Sequence, residues 1–264
     1  MRVGLDGYPL ATPRTGIGHY TFELARALAA LSPDDQFELV SPVPFTSSIL
    51  EEIASANLRG VTADVPLRGR WWAAGLPLYF RRASLDIFHG TNYDIPLWNR
   101  RRTAVTIHDL SLLLHADKHQ LHLVRRARRR LRLMAKLATM IITATETVKQ
   151  EICQNLHVGS DKVAVTPYAA RASFRPVPFE KTLETRQRLG VEDEFILFVG
   201  TLEPRKNLLT LARAFTEVLG HAPASPQLVV VGAEGWLMDD LFSFVRNSGI
   251  SKRLQFTGYV SDED

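Results

Sequence analysis

Short apolar runs and helix-like apolar repeats alternate along most of the chain. Each run reads as a buried strand, and each repeat with a 3.6-residue period reads as an amphipathic helix. Strands that alternate with helices favour a doubly wound parallel sheet, so the predicted fold class is α/β. The strands are predicted at residues 3–5, 37–40, 61–65, 87–88, 104–107, 140–143, 163–166, 195–199, 228–231 and 254–257.

Helices are predicted at residues 16–31, 145–156, 207–219 and 236–246, with further helical stretches in most of the other gaps. On the first of these helices, five large apolar side chains share one face. They are Ile17, Tyr20, Leu24, Leu28 and Leu31.

The alternation is interrupted once, at Pro167, Pro176 and Pro178, which predicts a linker at 173–192 between domains 1–172 and 193–264. The second domain has only three predicted strands, so an apolar sheet edge would lie open. The final Ser-Asp-Glu-Asp also resembles the first turn of a helix. We therefore expect an incomplete second domain and a longer parent protein.

Composition indicates ordinary globular material. The chain has 264 residues, of which 45% are hydrophobic and 23% charged, enough for about two domains. The single cysteine, Cys153, rules out an internal disulfide and fits a reducing compartment, so the predicted location is cytoplasmic. The first residues lack the features of a signal peptide, and no apolar run is long enough to span a membrane. Any membrane role is expected to be peripheral.

Charge is divided unequally between the two predicted domains. Residues 1–172 contain 22 Lys and Arg against 15 Asp and Glu, whereas residues 173–264 contain 10 against 13, giving about +7 and −3. A basic half beside an acidic half is expected when only one of them meets an anionic surface or acceptor.

Much of the positive charge lies in an arginine-rich segment at 123–138. As a helix, this segment has one apolar stripe, formed by Val124, Ala127, Leu131, Met134, Ala135 and Ala138. The opposite face carries Arg125, Arg128, Arg129, Arg132 and Lys136. Such a helix can pack on the sheet and offer its cations to an anionic membrane. A merely solvated face is the alternative; nucleic acid ranks last, because no exposed aromatic residues are interleaved with the cations.

The apolar run 195–199 ends in Gly200 and leads through a turn with Arg205 and Lys206 into a helix. Ligands of parallel α/β sheets gather at the carboxyl ends of strands, where free amides at the start of the next helix attract anions. Two cations in this turn predict a phosphate site. The alternative is a solvated basic pair on a surface turn.

Two further places could hold functional groups. Gly16 and Gly18 start the first helix and could let backbone amides approach a phosphate. The third glycine of a dinucleotide fingerprint is missing, because position 21 is threonine. A flexible turn is the alternative. His108 with Asp109, and His89 with Gly90, follow predicted strands. Either histidine could donate a hydrogen bond to a sugar or phosphate, or be purely structural.

Taken together, these motifs resemble the GT-B fold retaining glycosyltransferases of family 4. The resemblance extends along nearly the whole chain and depends on the order and spacing of its motifs. The motifs are Gly16-Ile-Gly18, Thr106-Ile-His-Asp109, Phe198-Val-Gly-Thr-Leu-Glu-Pro-Arg-Lys-Asn207, Val229-Val-Val-Gly232 and Phe256-Thr-Gly-Tyr-Val260.

The resemblance implies two Rossmann-like domains, with a nucleotide-sugar held in the cleft between them, and no metal or other cofactor. Lys206 matches the lysine on the donor diphosphate, with Arg205 beside it, and His108 matches the histidine near the donor sugar. Gly16 and Gly18 match the glycine loop over the diphosphate. Further donor-binding positions are Thr201, Gly232 and the nucleobase turn formed by Gly258, Tyr259 and Val260.

Two departures from the family pattern affect the site. Thr201 stands where the family usually has an arginine, which leaves Arg205 as a candidate substitute. The Asn-Gly common after the first domain's last strand is replaced by Tyr168-Ala-Ala170. The glutamate pair that the family uses to hold the donor does not occur before Asp264, so the chain by itself is expected to be nearly inactive.

The resulting hypothesis is transfer of a sugar from a nucleotide donor to a saccharide or lipid-linked acceptor, at the inner face of the cytoplasmic membrane. Resemblance to bacterial polysaccharide mannosyltransferases makes GDP-mannose the expected donor. Two alternatives stay open. One is a sugar-nucleotide 2-epimerase of the same fold, and the other is a non-catalytic membrane- or partner-binding module built around the arginine-rich helix.

Overall fold

The computed structural model describes residues 1–12, 14–65, 70–98, 101–119, 121–221 and 226–261, apart from the side chains of Leu123 and Arg126. The chain forms two compact units, Met1–Leu114 with Leu121–Arg171, and His115–Gln120 with Ala172–Asp264. Each unit has its own parallel sheet joined by helices, which confirms the α/β class. The helix start predicted at the chain's last residues falls on positions 262–264, outside the described residues.

The first unit contains a seven-stranded sheet in which all neighbours are parallel, in the order β3-β2-β1-β4-β5-β6-β7. Strand order reverses between β1 and β4, and ligands of open α/β sheets bind beyond the carboxyl ends of the strands at such a reversal. The strands are β1 Arg2–Asp6, β2 Gln36–Ser41, β3 Leu58–Thr62, β4 Ile87–Gly90, β5 Arg102–Thr106, β6 Met140–Thr143 and β7 Val163–Val165.

Helices connect these strands. They are α1 Gly16–Leu31, α2 Ser47–Ile53, α3 Leu76–Arg82, α4 Ser111–Leu114, α5 Leu121–Leu137 and α6 Glu146–Leu156. A π-helical turn, Trp71–Gly75, precedes α3, and short 3-10 turns lie at Tyr8–Leu10 and Ser160–Lys162. A further 3-10 turn, Ala116–Lys118, lies in the segment that belongs to the second unit.

Helix α1 has the predicted bounds, and its most buried residues lie beside the face that carries its large apolar side chains. Phe22, Ala25 and Ala29 are buried against the sheet, whereas Leu31 is 81% exposed and Leu28 is only partly buried. Small alanine side chains let the helix axis approach the strands closely, so the larger leucines are displaced to the sides of the contact. Leu24 and Leu28 of the large apolar face pack at the border of this contact.

The third strand begins three residues earlier than predicted, at Leu58. Asn57, directly before it, donates from Nδ2 to the carbonyl oxygens of Ala29, Ser32 and Asp35 at 3.0–3.1 Å. Its own carbonyl accepts from the Phe37 amide at 2.7 Å. These long-range bonds fix the register at the start of β3, and a local sequence pattern cannot predict them.

Helix α5 matches its prediction closely. All six residues of the predicted apolar stripe are buried. All of them except Val124 belong to a core cluster that also contains Val105 and Ile141 of the sheet and Ile152 of α6. The five predicted cations of the opposite face are exposed. This agreement follows from the 3.6-residue repeat, which separates the two faces without help from the rest of the fold.

The second unit has a three-stranded parallel sheet in the order β10-β9-β8. Its strands are β8 Phe195–Val199, β9 Gln227–Val231 and β10 Leu254–Gly258, and its helices are α7 Phe179–Leu189, α8 Leu208–His221 and α9 Asp239–Asn247. Short 3-10 turns lie at Pro204–Lys206 and Ile250–Lys252. The core contains the predicted α8 residues Leu208, Ala212 and Phe215.

Strand β8 was predicted to be buried, and this is wrong. It lies at the edge of its sheet, where Leu197 and Val199 are 54% and 68% exposed and only Phe198 packs against the core. An apolar run therefore identified the strand but not its burial. The open apolar edge expected for a thin second sheet is present.

Two other helices differ from the sequence predictions. The segment expected to be a linker contains α7, which ends at Gly190 with φ +67° and is held by Arg186, whose guanidinium donates to the Glu192 carbonyl at 2.7 Å. The predicted helix 236–246 begins only at Asp239, because Leu237 has φ +55°, a left-handed conformation that no α-helix continues.

The structure also bears on the question of membrane spans. In the described ranges, no helix combines the length and the apolarity that crossing a membrane would require.

A buried carboxylate ties together the first three strands of the large sheet. Glu38, in the middle of β2, accepts from Arg2 at 2.9 Å, from Arg59 at 2.5 Å and from the Tyr79 hydroxyl at 2.7 Å. Burial by itself would raise the pKa of Glu38, but the bonds from Tyr79, Arg59 and Arg2 outweigh it and hold the pKa below its ordinary value. The charged carboxylate therefore stabilises the fold.

Replacing this carboxylate makes a stability prediction. Glu38→Gln should lower the free energy of unfolding at pH 7 by about 1–2 kcal/mol, because bonds to a charged acceptor become bonds to a neutral amide. Since the folded pKa lies below the unfolded value of 4.5, the wild-type advantage is fully present above pH 4.5 and declines as pH falls below it. Urea denaturation over a pH series measures this.

Glu52→Gln is the matched control. Glu52 forms a 2.6 Å ion pair with Arg14 but is 44% exposed, so its loss should cost at most about 1 kcal/mol. Equal losses for the two variants, or a Glu38 effect that grows in acid, would contradict the assignment.

Candidate functional site

The carboxyl edge of the first sheet brings β1 and β4 together at the point where strand order reverses. Thr91, directly after β4, donates from Oγ1 to the Asp6 carbonyl at the end of β1, at 3.1 Å. Thr21 of α1 in turn donates to Thr91 Oγ1 at 2.8 Å. The first turns of α1, which contain the glycine pair, are thereby attached to the point where strand order reverses.

His108 lies at this edge with both ring nitrogens engaged. Its Nε2 is 2.8 Å from the Thr91 carbonyl oxygen, and its Nδ1 contacts the Tyr168 hydroxyl. A carbonyl only accepts, so Nε2 carries the proton and Nδ1 accepts from Tyr168. Burial lowers the pKa of His108, more than the Thr91 carbonyl and the nearby Asp109 raise it. The imidazole is therefore neutral at pH 7.

Aromatic rings surround this imidazole. The ring centres of Tyr20, Tyr93 and Tyr168 lie 5.1, 5.5 and 5.9 Å from that of His108. Tyr93 also accepts from the Asp109 amide at 3.2 Å through its hydroxyl. Tyr20 and Tyr93 pack edge to face on the imidazole and fix its plane, while Tyr168 is tilted against it. Half-exposed Tyr168, in the turn that departs from the family pattern, borders the site on its solvent side.

His89 occupies a different environment, although the sequence treated the two histidines alike. It is buried, and its Nε2 lies 2.8 Å from Thr106 Oγ1, which also pairs with the Tyr20 hydroxyl at 3.0 Å. Burial, together with the nearby His108, lowers its pKa to about 4. A neutral, enclosed imidazole holding β4 to β5 is structural, and it leaves His108 as the accessible histidine of the pair.

Two carboxyl-edge features escaped the sequence analysis. Asp6, the last residue of β1, is 1% exposed, and burial raises its pKa to about 7. Its Oδ1 accepts from the Tyr8 amide at 3.1 Å. The sequence indicates Tyr168 only as a departure from the family's Asn-Gly pattern and does not predict its contact with His108. Asp6 could have been identified as a candidate site residue, because it is an acidic residue directly after the predicted strand 3–5 and before Gly7.

The predicted glycine pair differs in surroundings. Gly16 is exposed, and a Cβ placed on it would meet nothing within 4 Å. Gly18 is buried, and a Cβ placed on it would lie 3.0 Å from the Pro9 carbonyl oxygen, which is a tight contact. The N-cap Thr15 makes no side-chain cap bond. The first amides of α1 are thus available to an anion at Gly16.

The carboxyl edge of the second sheet is built by close backbone packing. A Cβ on Gly232 would lie 2.1 Å from the Gly200 carbonyl oxygen, and Gly232 has φ +144°. The Gly200 amide donates to Val231 O, and the Gly232 amide donates to Gly258 O, both at 2.9 Å. The loops after β8, β9 and β10 therefore form one continuous edge, which contains the predicted positions Gly232 and Gly258.

The two predicted cations follow β8 in the turn Pro204–Lys206. Arg205 donates to Glu203 Oε1 at 2.6 Å, and Glu203 is 4% exposed. Lys206 instead runs back along the sheet edge, with its Cε 3.9 Å from the position of a Cβ on Gly200. Among the residues that the structure describes, Lys206 forms no ion pair. Its ammonium is the cation of this turn that an incoming anion meets without a competing carboxylate.

Helix α8 begins directly after this turn. Asn207 has φ +56° and ends the turn, and its side chain accepts from Thr210 Oγ1 at 2.8 Å. The first amides of α8 therefore face the same edge as Lys206. Thr201 is exposed. In the turn after β9's neighbour β10, Gly258 has φ +74°, Tyr259 is 64% exposed and Val260 is partly buried.

The predicted residues thus form two groups, each within its own unit. Gly16, Gly18 and His108 lie at the edge of the first sheet. Arg205, Lys206, Thr201, Gly232, Gly258, Tyr259 and Val260 belong to the turns at the edge of the second. Over the described ranges, no cluster of three or more His, Cys, Asp or Glu side chains has the arrangement of a metal site.

Two family models match the chain. Residues 14–170 match the family described as Glycosyltransferase Family 4, and residues 180–264 match Glycosyl transferases group 1. The first match covers more than half of the chain and includes the glycine pair and His108, and the second includes the cationic turn.

Curated relatives with similar sequences include two from Escherichia coli. O-antigen chain mannosyltransferase B is 25% identical over 277 residues, which cover 100% of this chain and 72% of that protein. Serotype-specific mannosyltransferase WbdA is 24% identical over 131 residues, which cover 48% of this chain and 16% of that protein.

Solved structures share the fold at lower identity. Sucrose-phosphate synthase from Thermosynechococcus elongatus has a TM-score of 0.71 at 15% identity, covering 100% of this chain and 71% of that one. Anabaena HepE, in complex with UDP and glucose, has a TM-score of 0.66 at 16% identity, covering 99% and 70%. These similarities establish the GT-B architecture.

The close packing at Gly232 makes a prediction. Gly232→Ala should lower the free energy of unfolding of the second unit by at least about 2 kcal/mol, because the methyl group meets the Gly200 carbonyl and the backbone conformation disfavours any side chain. Gly220→Ala on α8, where a Cβ meets nothing within 4 Å, should be neutral or stabilising by up to about 1 kcal/mol. Urea denaturation of both variants tests this, and a Gly232 variant as stable as wild type would refute the close approach.

Proposed function

The chain belongs to glycosyltransferase family 4, and from that membership we propose that it transfers mannose from GDP-mannose to a saccharide or lipid-linked acceptor in cell-surface polysaccharide synthesis. The mannosyltransferase names of its Escherichia coli relatives support the sugar. The UDP and glucose bound to Anabaena HepE support a nucleotide-sugar as the donor class. The same relatives do not favour a 2-epimerase or a non-catalytic module.

The observation that carries this proposal is the position of Lys206. Breaking a glycosyl-phosphate bond leaves negative charge on the departing nucleoside diphosphate. A fixed cation and the first amides of α8 stabilise that charge more in the transition state than in the bound donor. Lys206 meets this requirement because its side chain lies along the sheet edge at Gly200. Within the described ranges, no carboxylate forms an ion pair with its ammonium.

Arg205 has a secondary role in the proposal. Buried Glu203 orients its guanidinium and offsets part of its charge. Thr201, at the position where the family pattern has arginine, contributes only a hydroxyl. We assign the main diphosphate contact to Lys206 and a supporting one to Arg205. Gly232, Gly258, Tyr259 and Val260 complete the donor-binding edge in this assignment.

In the first unit, we assign His108 to a sugar hydroxyl. The imidazole is neutral and its Nε2 proton is taken by Thr91, so His108 offers Nδ1 as an acceptor once the Tyr168 hydroxyl turns away. Gly16 and Gly18 offer the α1 amides to an anionic group of the donor. The proposed chemistry uses no metal ion.

The cytoplasmic face of the membrane is the proposed location. The exposed cations of α5, Arg125, Arg128, Arg129, Arg132 and Lys136, would contact anionic lipid headgroups. Each basic residue near such a surface contributes about 1 kcal/mol before screening. The apolar stripe of α5 is fully used by the core, so this contact would be made by the outer face alone.

The diphosphate role predicts the effect of one substitution. Lys206→Ala in the full-length enzyme should lower turnover about ten- to a hundredfold with the fold intact, as expected for a charge-assisted bond of about 1.5–3 kcal/mol. Transfer of labelled mannose from GDP-mannose measures this, and the circular dichroism spectrum reports folding.

Lys252→Ala is the matched control, since Lys252 is an exposed lysine that precedes β10 at the amino edge of the same sheet. Unchanged turnover in Lys206→Ala would remove the diphosphate role. An assay with donor alone completes the test, because an epimerase would change the sugar without acceptor. GDP-glucose in place of GDP-mannose tests the sugar, and UDP-glucose in place of GDP-glucose tests the nucleotide.

The membrane role makes a separate prediction. Reversing Arg125, Arg128 and Arg129 to Glu should lower binding to vesicles containing phosphatidylglycerol at least about tenfold at 0.1 M salt. Reversing Lys181, Arg246 and Lys252 of the second unit changes net charge equally and should leave binding unchanged. Vesicle co-sedimentation measures both, and equal losses would show a non-specific effect of net charge.

A further inference from the structure

A cavity of about 450 Å³ lies beside α5 in the first unit. Its volume is within the range of about 300–1,000 Å³ typical of small-molecule sites. The lining is apolar except for one threonine, and none of it belongs to the carboxyl-edge site. The lining residues are Ile95, Pro96, Leu97, Trp98, Thr103, Leu133 and Leu137.

The wall of this cavity is tied to its neighbours by specific contacts. Asp94 forms an ion pair with Arg130 of α5, and the Ile95 amide lies 3.4 Å from Met134 Sδ on the same helix. The Leu97 amide donates to the Trp72 carbonyl at 2.9 Å. The segment 94–97, which supplies part of the cavity wall, is therefore attached both to α5 and to the turn before α3.

The rim of the cavity is apolar and exposed. Trp98 is 87% exposed, while Leu133 and Leu137 of α5 are 43% and 45% exposed. Trp98 also has φ +59°, a conformation that bulky residues rarely adopt. Large apolar side chains around an apolar cavity indicate a binding surface rather than scattered exposure.

The cations of α5 border this rim. Leu133 is four residues after Arg129 and three before Lys136, so helical geometry places it beside both on the surface. Both cations are exposed. A surface with cations next to leucines and a tryptophan matches the membrane interface, where headgroups are anionic, chains are apolar and tryptophan is favoured.

We propose that this cavity receives an acyl chain of an anionic phospholipid, while the neighbouring α5 cations contact the headgroups. The inference rests on the membrane association proposed above and deepens it, because binding then depends on chain insertion as well as on charge. Charge complementarity selects a lipid over a neutral apolar molecule. The cavity gives α5 an apolar contact with lipid, although its own apolar stripe is buried.

Fluorescence quenching tests chain insertion in the full-length enzyme. Phosphatidylglycerol vesicles with bromine on the acyl chains should quench wild-type tryptophan emission, because a brominated chain in the cavity contacts Trp98 in its wall. Trp98→Phe should lose most of this quenching while remaining bound to the vesicles. If quenching is the same in Trp98→Phe, the chain does not enter at this cavity and the proposal fails.

A second pair of variants tests the rim. Leu133→Gln with Leu137→Gln should weaken partitioning into phosphatidylglycerol vesicles about tenfold, since two exposed apolar side chains no longer enter the lipid. Leu31→Gln, at the 81% exposed end of α1, is the matched control and should bind as wild type does. Partitioning that is unchanged in the double variant would overturn the proposal.

The remaining outcomes separate the two proposals. Vesicle binding that depends on the α5 cations but shows no quenching leaves membrane association standing and removes the cavity's role. Normal mannose transfer without any vesicle binding removes both membrane proposals and leaves the transferase intact. Self-association in sedimentation that the double leucine variant abolishes would assign the cavity to a second copy of the chain instead.

Discussion

Parallel strand pairing is the constraint on which both candidate sites depend. In a parallel sheet every strand ends at the same edge, so loops far apart in the sequence meet there. In the first unit this edge joins Asp6, Thr91 and His108. In the second it joins the loops after β8, β9 and β10, and the contact between Gly232 and Gly200 leaves no space for a side chain between them. The site geometry is thus a consequence of sheet topology.

Burial determines which charged groups remain available to a ligand. Glu38 and Glu203 are buried and hold their arginines in structural pairs, while burial lowers the pKa values of His89 and His108 and keeps both imidazoles neutral. The proposed diphosphate contact consequently falls on Lys206. The α5 cations, in contrast, stay exposed because the apolar stripe of that helix satisfies the core. Lys206 and the exposed cations of α5, which form no ion pair within the described part of the chain, are therefore the ones proposed to bind anionic partners.

Most of the fold could be predicted from the sequence. The alternation of apolar runs and helical repeats gave the α/β class, the strands and the two faces of α5, and spaced motifs gave the family and the cationic turn. Errors arose where distant residues decide the outcome. Asn57 fixes the start of β3 through bonds to residues more than twenty positions away. The start of α9 differs for another reason, the left-handed conformation of Leu237. A local pattern carries no information about such contacts.

The sequence by itself determined which residue types follow each strand, because strand and helix periods and turn residues are local properties. It therefore placed Gly16, Gly18, His108, Arg205 and Lys206 at carboxyl ends. Only the tertiary structure distinguished enclosed His89 from His108, paired Arg205 with Glu203, brought Tyr168 to the imidazole and opened the cavity beside Trp98. The Arg205–Glu203 pair joins close neighbours and depends on the burial of Glu203. The other features depend on contacts between residues far apart in the chain, and packing of the whole unit decides them.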